Sequence, residues 1–364
     1  MAWKALSMIA YFAAKWDSWR KEDVVANLKS LAEHLGLSQA TVSRALNNYS
    51  TVNQETRAKV LEAAKKLNYR PNSSARRLAT GRADAIGIVL PHQDDLLVDP
   101  HFADFLAALT KKLATYDNDV VLTATDTPQT YQRFAEIGKV DGFVISAPKA
   151  HDERIAVLSK LNFPFIVHGR CETDLPYGFF DIDNEGAFYD ATKLLLQLGH
   201  TRIGLINGAA DLMFAKQRLD GYNRAHKEFG IKPALELIHH DHMTEEYGYR
   251  HAQALLDLDD RPTAFLCSST LVTVGAQRRI REMGLEIGKD ISIITHDDGL
   301  SSLKTENFSV ALTVTRAPIR DAGTQIAKMV VDLVRGTPIE QLQKVVPVDL
   351  IVRTSTSAPR RSRS

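Results

Sequence analysis

Leu28-Lys-Ser-Leu-Ala-Glu-His-Leu-Gly-Leu-Ser-Gln-Ala-Thr-Val-Ser-Arg-Ala-Leu-Asn47 is the stretch whose pattern decides the architecture of the N-terminal part. Leu28, Leu31, Ala32 and Leu35 recur at i, i+3, i+4 and i+7, one face of a short helix. Gly36 can end that helix at positive φ with little cost, and Ser38 is a favourable N-cap for the next. In the second helix Val42, Ala45 and Leu46 form the buried side, leaving Gln39, Ala40, Ser43 and Arg44 outward. Two short helices joined by a Gly-containing turn make a helix-turn-helix, and its second helix is small enough for a major groove. Gln39 can pair bidentately with adenine and Arg44 with guanine, while Ala40 offers only apolar contact, for example to a thymine methyl.

Working outward, a third helix is expected from about Asn53, with Val60, Ala63, Ala64 and Leu67 closing a three-helix core. Arg57, Lys59, Lys65 and Lys66 surround it and read as solvated or phosphate-facing. Next comes a segment with Pro71 at its start and Gly81 at its end, in which Ala75, Leu78 and Ala79 share a face. A helix so short is marginal alone and needs DNA or a partner copy packed against it. Leu78, beside Arg76 and Arg77, reads either as plain packing or as a minor-groove wedge. The charge agrees with a nucleic-acid face. Residues 27–82 hold ten Lys/Arg against three acids, +7, whereas the other 308 residues sum to −6.

From residue 85 the pattern changes to apolar runs alternating with amphipathic stretches. Strands are expected at 85–90, 120–125, 140–146, 165–168 and 179–183, then at 202–207, 235–239, 264–268, 291–295 and 310–314. Helices are expected at 102–115, 152–161, 187–198, 216–228, 247–256, 272–283 and 321–334. Such alternation means parallel doubly wound sheets, and two series mean two lobes. Ligands in this architecture sit beyond the carboxyl ends of the strands, here in the cleft between lobes. The strand-end residues are Pro91-His92-Gln93, Ser146, His168-Gly169-Arg170, Asp183-Asn184, Gly208, Ser268-Ser269 and His296-Asp297-Asp298, with Arg218 and Arg316 close by in sequence. A sugar needs a fork donor, an acceptor and an aromatic surface, which Arg218, Asp297 and His168 with Phe102 and Phe105 can supply. A structural Arg218–Asp297 ion pair closing a loop is the plainer alternative.

The stretch 28–47 closely resembles the headpiece of lac/gal-type repressors, as do Thr56-Arg-Ala-Lys-Val60, Leu67-Asn-Tyr-Arg-Pro-Asn72 and Ala75-Arg-Arg-Leu78. The resemblance continues through Leu198-Gly-His-Thr-Arg-Ile-Gly204, Arg218-Leu-Asp-Gly-Tyr222 and Ile291-Ser-Ile-Ile-Thr-His-Asp-Asp298, covering about residues 27–352. It implies an all-α helix-turn-helix head on a two-lobed, periplasmic-binding-protein-like α/β body. It implies that Gln39, Ala40 and Arg44 read the operator and that Leu78 is a lever at the operator centre. Thr41, Ser43, Asn47, Tyr69, Asn72 and Ala75 complete the DNA-binding set. By position, Arg218 and Asp297 fall on effector-contacting places, and His168, Met243, Ser269 and Arg316 on places that vary with the effector; Phe102, Ser146 and Arg170 complete that set. Ser269-Thr270 stands where the family commonly has Asn-Asp, and Thr295-His-Asp-Asp298 where it has Gly-Tyr-Asp-Asp, so the effector differs from better-known ones. In overall likeness the body resembles the repressors of α-glucoside utilisation.

The domain plan that follows is an N-terminal extension at 1–26, the DNA-binding head at 27–70, a hinge helix and linker at 71–83, and an effector-binding and dimerisation body at 84–352. Lobe 1 is expected at about 84–182 and 315–335, lobe 2 at about 183–314 and 336–352, and a disordered basic tail at 353–364. The extension holds all three tryptophans, Trp3, Trp16 and Trp19. Its apolar run after Lys4 has one basic residue and a poor cleavage pattern, which argues against an exported sugar-binding protein. A marginal amphipathic helix, disorder and a start placed too far upstream all fit it.

Apolar residues make up 44% and charged residues 24%, the balance of a soluble globular protein, and no apolar run is long enough to span a bilayer. No G-x-G-x-x-G follows the first strand, which removes a dehydrogenase; no phosphate loop and no G-x-S-x-G elbow appear. His239-His240-Asp241-His242 is the only metal-like run, and neighbouring strand residues point to opposite faces, so no metal is assigned. Cys171 and Cys267 read as ordinary thiols. The expectation is a cytoplasmic, non-enzymatic repressor without cofactor. A homodimer binds near-palindromic double-stranded operator DNA, and a sugar in the cleft melts its hinge helices. The tail has no heptads, so a dimer is expected rather than a tetramer. A same-family regulator answering to a purine or a phosphoprotein corepressor is the competing reading.

Overall fold

The computed structural model describes residues 27–46, 49–67, 69, 81–90, 99–124 and 127–360, in two compact units divided at Arg82 and Ala83. In the first unit, helices α1 (Leu28–Leu35), α2 (Gln39–Leu46) and α3 (Gln54–Lys66) enclose Leu31, Ala32, Val42, Ala45, Val52, Val60, Ala63 and Ala64. Each boundary has a local cause. The Asn27 side chain accepts from the Ser30 N–H at 2.8 Å, and Gly36 ends α1 at φ 62°. Ser38 Oγ accepts from the Thr41 N–H at 3.1 Å, and Asn53 Oδ1 from the Thr56 N–H at 2.7 Å.

The second unit runs β1 (Ala85–Val89), α4 (Pro100–Ala114), β2 (Asp119–Thr123), α5 (Pro128–Glu136), β3 (Gly142–Ser146), α6 (Glu153–Lys160), β4 (Phe165–His168) and β5 (Gly178–Ile182). It continues with α7 (Asn184–Gln197), β6 (Ile203–Asn207), α8 (Met213–Glu228), β7 (Ile238–His240), α9 (Glu245–Leu256), β8 (Ala264–Cys267), α10 (Thr270–Glu282) and β9 (Ser292–Asp297). Then come β10 (Thr313–Arg316), α11 (Ile319–Val334), β11 (Gln343–Val346) and β12 (Asp349–Ile351). The strands form two six-stranded sheets, ordered β11-β5-β4-β3-β1-β2 and β12-β10-β9-β8-β6-β7, parallel except for β12 against β10. Alternation along β1 feeds both faces of the first sheet. Ile86 and Ile88 pack with Phe105, Leu109 and Ile326, whereas Ala85 and Val89 pack with Tyr131 and Phe134. The chain passes between sheets three times, after β5, after β10 and between β11 and β12.

Three expectations are corrected. Residues 336–346 were placed with lobe 2, but β11 pairs in parallel with β5 and extends the first sheet; only β12 belongs to the second. The tail expected to be disordered is ordered through Arg360. Ser355 is fully buried, its carbonyl accepts from the Ile293 N–H at 2.8 Å, and its Oγ accepts from the Thr313 N–H at 2.7 Å. The Ser357 carbonyl meets His200 Nε2 at 2.8 Å. Helix α5 lay outside the expected helices, because Tyr131 and Phe134 are almost its only buried apolar residues. The expected hinge segment 71–80, the extension 1–26 and the tail's last residues 361–364 lie outside the described residues.

Candidate functional site

Two surfaces carry chemistry. On the head, Gln39, Ala40 and Arg44 are exposed at one side of α2, while Val42 and Ala45 face the core. Thr41 is half-buried, its Oγ1 2.9 Å from Ser38 Oγ, so it serves the cap; Ser43 is also half-buried. The Tyr69 ring packs on the head core, and burial raises its hydroxyl pKa. Arg57, read above as solvated or phosphate-facing, instead donates to the carbonyls of Tyr49 (2.7 Å) and Val52 (3.2 Å), pinning the turn before α3. Lys59 and Lys66 pair with Glu55 and Glu62 one turn back. Asn47, Asn72, Ala75 and Leu78 lie outside the described residues, as do Pro91, His92 and Gln93.

The body holds a cavity of about 940 Å³ at the carboxyl ends of both sheets. Phe102, Ser146, His168, Arg170, Arg218, Met243 and Arg316, all expected there, line it. Two expected residues do not. Ser269 is fully buried and caps α10, its Oγ accepting from the Val272 N–H at 3.3 Å. Asp297 is consumed internally, accepting from the Gly299 N–H at 2.8 Å, Thr305 Oγ1 at 3.0 Å and Arg316 Nη1 at 2.5 Å. The structural ion pair considered for Arg218 thus exists, but with Arg316 as the cation. The carboxylate facing the cavity is its neighbour Asp298.

Arg218 is held by the fold of two helices. The Gly221 position approaches α7 so closely that a Cβ there would lie 2.1 Å from the Glu185 carbonyl oxygen, so only glycine lets α8 pack this near. That packing places the guanidinium over the rings of Phe188 and Phe214, 4.9 and 4.8 Å from their centroids. Its Nε donates to Asn184 Oδ1 at 2.9 Å and its Nη1 to the Ser268 carbonyl at 2.7 Å. Nη2 carries no hydrogen bond from the described residues and remains a free donor. Burial pulls the Arg218 pKa down to about 10, against the opposing pull of Asp298 and Asp181.

Opposite lies an acid–histidine cluster in which Asp298, His296 and His168 are among the expected strand-end residues, whereas His101 and Asp99 are not. His101 Nδ1 is 2.8 Å from Asp99 Oδ1, and its Nε2 is 3.2 Å from Asp298 Oδ2, an ion-pair distance without hydrogen-bond alignment. Burial opposes a charge on His101, but Asp298 and Asp99 prevail and raise it to about 10, so it is a cation at neutral pH. Burial likewise opposes a charge on Asp298, and His296, which is protonated only in acid, together with the His101 and Arg218 cations outweighs it and holds its carboxyl low. His296 is driven down to about 3 by burial and by Arg218, and is neutral. His168, also lowered by burial, stacks on Phe105 with centroids 4.8 Å apart and planes 3° apart. Ser146 Oγ is buried without a partner.

The other arginines of the wall are paired with carboxylates, and Lys344 is exposed at the wall. Arg154 pairs with Asp152 at 2.6 Å, Arg170 with Asp181 at 2.8 Å and Arg316 with Asp297. The metal-like run is dispersed. His240 Nδ1 lies 3.0 Å from the Gly208 carbonyl, Asp241 pairs with Arg250, His242 lines the cavity, and the His239 ring meets that of His251 at a tilt of 42°.

Comparison with known proteins matches this geometry. Residues 27–72 fit the model "Bacterial regulatory proteins, lacI family", and residues 192–356 fit a periplasmic binding protein-like domain. The HTH-type transcriptional regulator AglR of Rhizobium meliloti (strain 1021) is 49% identical over 341 residues, covering 92% of this chain and 96% of that protein. The chain belongs to the LacI family. It is a DNA-binding transcriptional regulator with a helix-turn-helix head. Among solved structures of the same fold, the lac repressor dimer bound to operator and the anti-inducer ONPF matches with TM-score 0.76 and 26% identity, over 92% of this chain and 99% of that one. The transcriptional regulator CelR–cellobiose complex matches with TM-score 0.66 and 26% identity, over 91% and 99%. No described helix of this LacI-family chain is long and apolar enough to cross a membrane.

Proposed function

We propose that this LacI-family protein represses carbohydrate-utilisation genes and leaves its operator when an uncharged sugar of the α-glucoside class fills the body cavity. The observation that carries the reading is the charge state of the wall. A phosphorylated effector needs cations free to form charge-assisted bonds. Here Arg154, Arg170 and Arg316 are each neutralised by a carboxylate of the chain itself. Apart from the exposed Lys344, what remains suits hydroxyls: the free Nη2 of Arg218, the Asp298 carboxylate and the unpartnered Ser146 Oγ, beside the rings of Phe102, Phe105 and Phe214. Those groups supply donor, acceptor and stacking surface to a pyranose.

The volume of about 940 Å³ lies at the upper end for small-ligand pockets and leaves room for more than one ring. The related CelR structure holds cellobiose, a two-ring sugar. The α-glucoside class rests on the likeness of the body to repressors of α-glucoside utilisation. In this reading two copies bind a near-palindromic site in the cytoplasm, with Gln39, Ala40 and Arg44 at base edges. The role is binding and release, with no catalytic step.

The test is a calorimetric titration with maltose, sucrose, trehalose, cellobiose, adenosine and glucose 6-phosphate, followed by gel shift on the protein's own promoter. An α-linked disaccharide should bind and release the DNA. Binding of adenosine or glucose 6-phosphate instead, with no disaccharide bound, would overturn the reading.

A further inference from the structure

Away from the hinge crossings, the two lobes are also joined across the mouth of the cavity. The segment after β3 in the first lobe meets the segment before α8 in the second. Lys149 and Leu212 form an isolated antiparallel bridge. The Met213 N–H donates to the Pro148 carbonyl at 3.0 Å, and the Ala150 N–H to the Asp211 carbonyl at 3.2 Å. Side chains repeat the link: Lys149 Nζ lies 3.1 Å from Asp211, and Lys216 pairs with Glu172. The Glu172 N–H in turn donates to the Ala150 carbonyl at 2.7 Å, tying the β4–β5 loop to the same strip.

Two features show that the first-lobe strip is held in place by its own lobe. Ala147 has φ 46°, a left-handed conformation disfavoured for a residue with a Cβ. The adjoining Pro148 rests on Gly169, where a Cβ would lie 2.9 Å from its ring. On the second-lobe side, α8 has no side-chain cap at Leu212. Its first N–H, Met213, is satisfied by the carbonyl of Pro148 from the opposite lobe. That helix carries Arg218 five residues later, so the strip and the free guanidinium donor ride on one rigid element.

We propose that residues 148–150 and 211–213 are a latch across the cavity mouth, whose opening admits and releases the ligand and whose closure sets the position of α8 and Arg218. Calling the enclosed space a ligand site rests on the function proposed above; the latch itself does not. Both ion pairs are well exposed, with side-chain exposures of 62% and 57% for Lys149 and Asp211, so each contributes little and is weakened by salt. The latch is therefore poised to open rather than locked.

Amide exchange on the full-length protein without any effector tests this, because opening frees two specific N–H groups. The Ala150 and Met213 amides should be protected in 50 mM NaCl. The Lys149→Ala/Asp211→Ala variant should speed exchange at both by about two- to fivefold, the range expected from losing one exposed ion pair. Raising NaCl to 1 M should do the same to the unmodified protein, and Lys149→Arg should retain protection. Amides of β8 should not change in any arm. Ala150 and Met213 exchanging as fast as an open loop would overturn the latch. Protection insensitive to both the double variant and salt would overturn the proposal equally, by assigning closure to the hinge crossings. No sugar enters the experiment, so failure of the sugar reading leaves these outcomes unaffected.

Discussion

Arg218→Met separates ligand recognition from stability, and the structure fixes the size of the effect. The guanidinium is wholly buried, and its fall from the ordinary 12.5 to about 10 means that carrying the charge costs the fold about 3 kcal/mol. Methionine removes that cost while filling much of the space between Phe188 and Phe214. Against this, Asn184 Oδ1 and the Ser268 carbonyl lose their donor, about 1–3 kcal/mol each, and the ring contacts lose about 1 kcal/mol. The opposing terms cancel in part, so the variant should lose between about 0 and about 4 kcal/mol. Its operator affinity without sugar should be unchanged, because the helix-turn-helix lies in the separate head unit. Release by sugar should weaken sharply, since an uncommitted donor on the cavity wall is gone. Urea unfolding gives the first quantity, fluorescence anisotropy on a promoter fragment the second, and a sugar titration of that complex the third. Release at an unchanged sugar concentration would refute the role of Nη2. A loss well beyond 5 kcal/mol would refute the claim that the buried charge is itself a burden.

Gly221→Ala should destabilise the body by about 1–3 kcal/mol and weaken sugar binding together, because a Cβ 2.1 Å from the Glu185 carbonyl forces α8 from α7; thermal unfolding and calorimetry check both. Stability should peak near pH 6.5. His239 is lowered to about 4, chiefly by burial, so the unfolded chain binds the extra proton between pH 4 and 6.5 and stability falls on acidification there. His101 is raised to about 10, so its contribution is complete below 6.5 and is lost as pH rises toward 10; His101→Asn should flatten that alkaline limb in unfolding midpoints. Truncation after Val352 removes the partners of the Ile293 and Thr313 N–H groups and of His200, and should lower the melting temperature by several degrees in calorimetry. An unchanged midpoint would mean that the C-terminal segment does not brace β9 and β10.

Much of the fold was legible because its signals are local. The spacing of Leu28, Leu31, Ala32 and Leu35, the cap at Ser38 and the glycine at 36 are short-range features, and α1 and α2 form where they point. The ten strands announced by apolar runs are present within a few residues. The misses share the opposite character. Strand β11 reads Gln-Lys-Val-Val and is largely exposed, so only two valines mark it, too short a run to stand out; it forms by pairing along β5. The segment beyond Val352 reads as solvated by composition, yet Ser355 is buried because its backbone and hydroxyl complete hydrogen bonds of β9 and β10.

The exchange of Asp297 for Asp298 is the sharpest case, because both are carboxylates at the same strand end and differ by one position. Successive side chains on a strand point to opposite sides, so one of the two faces the cavity and the other does not. Which one is decided by distant partners. Thr305 and Arg316, 8 and 19 residues away, claim Asp297, while His101, from the first lobe, stands at Asp298. The pairing also fixes the chemistry. With Asp297 spent on Arg316, that arginine's charge is matched within the chain, and Arg218 keeps its Nη2 uncommitted among the described residues. The proposed preference for an uncharged ligand therefore rests on a contact that spacing could not reveal. Asp297→Asn tests it: freeing Arg316 should improve binding of glucose 6-phosphate relative to an uncharged disaccharide, and an unchanged ratio would show that Arg316 is not what excludes the phosphate.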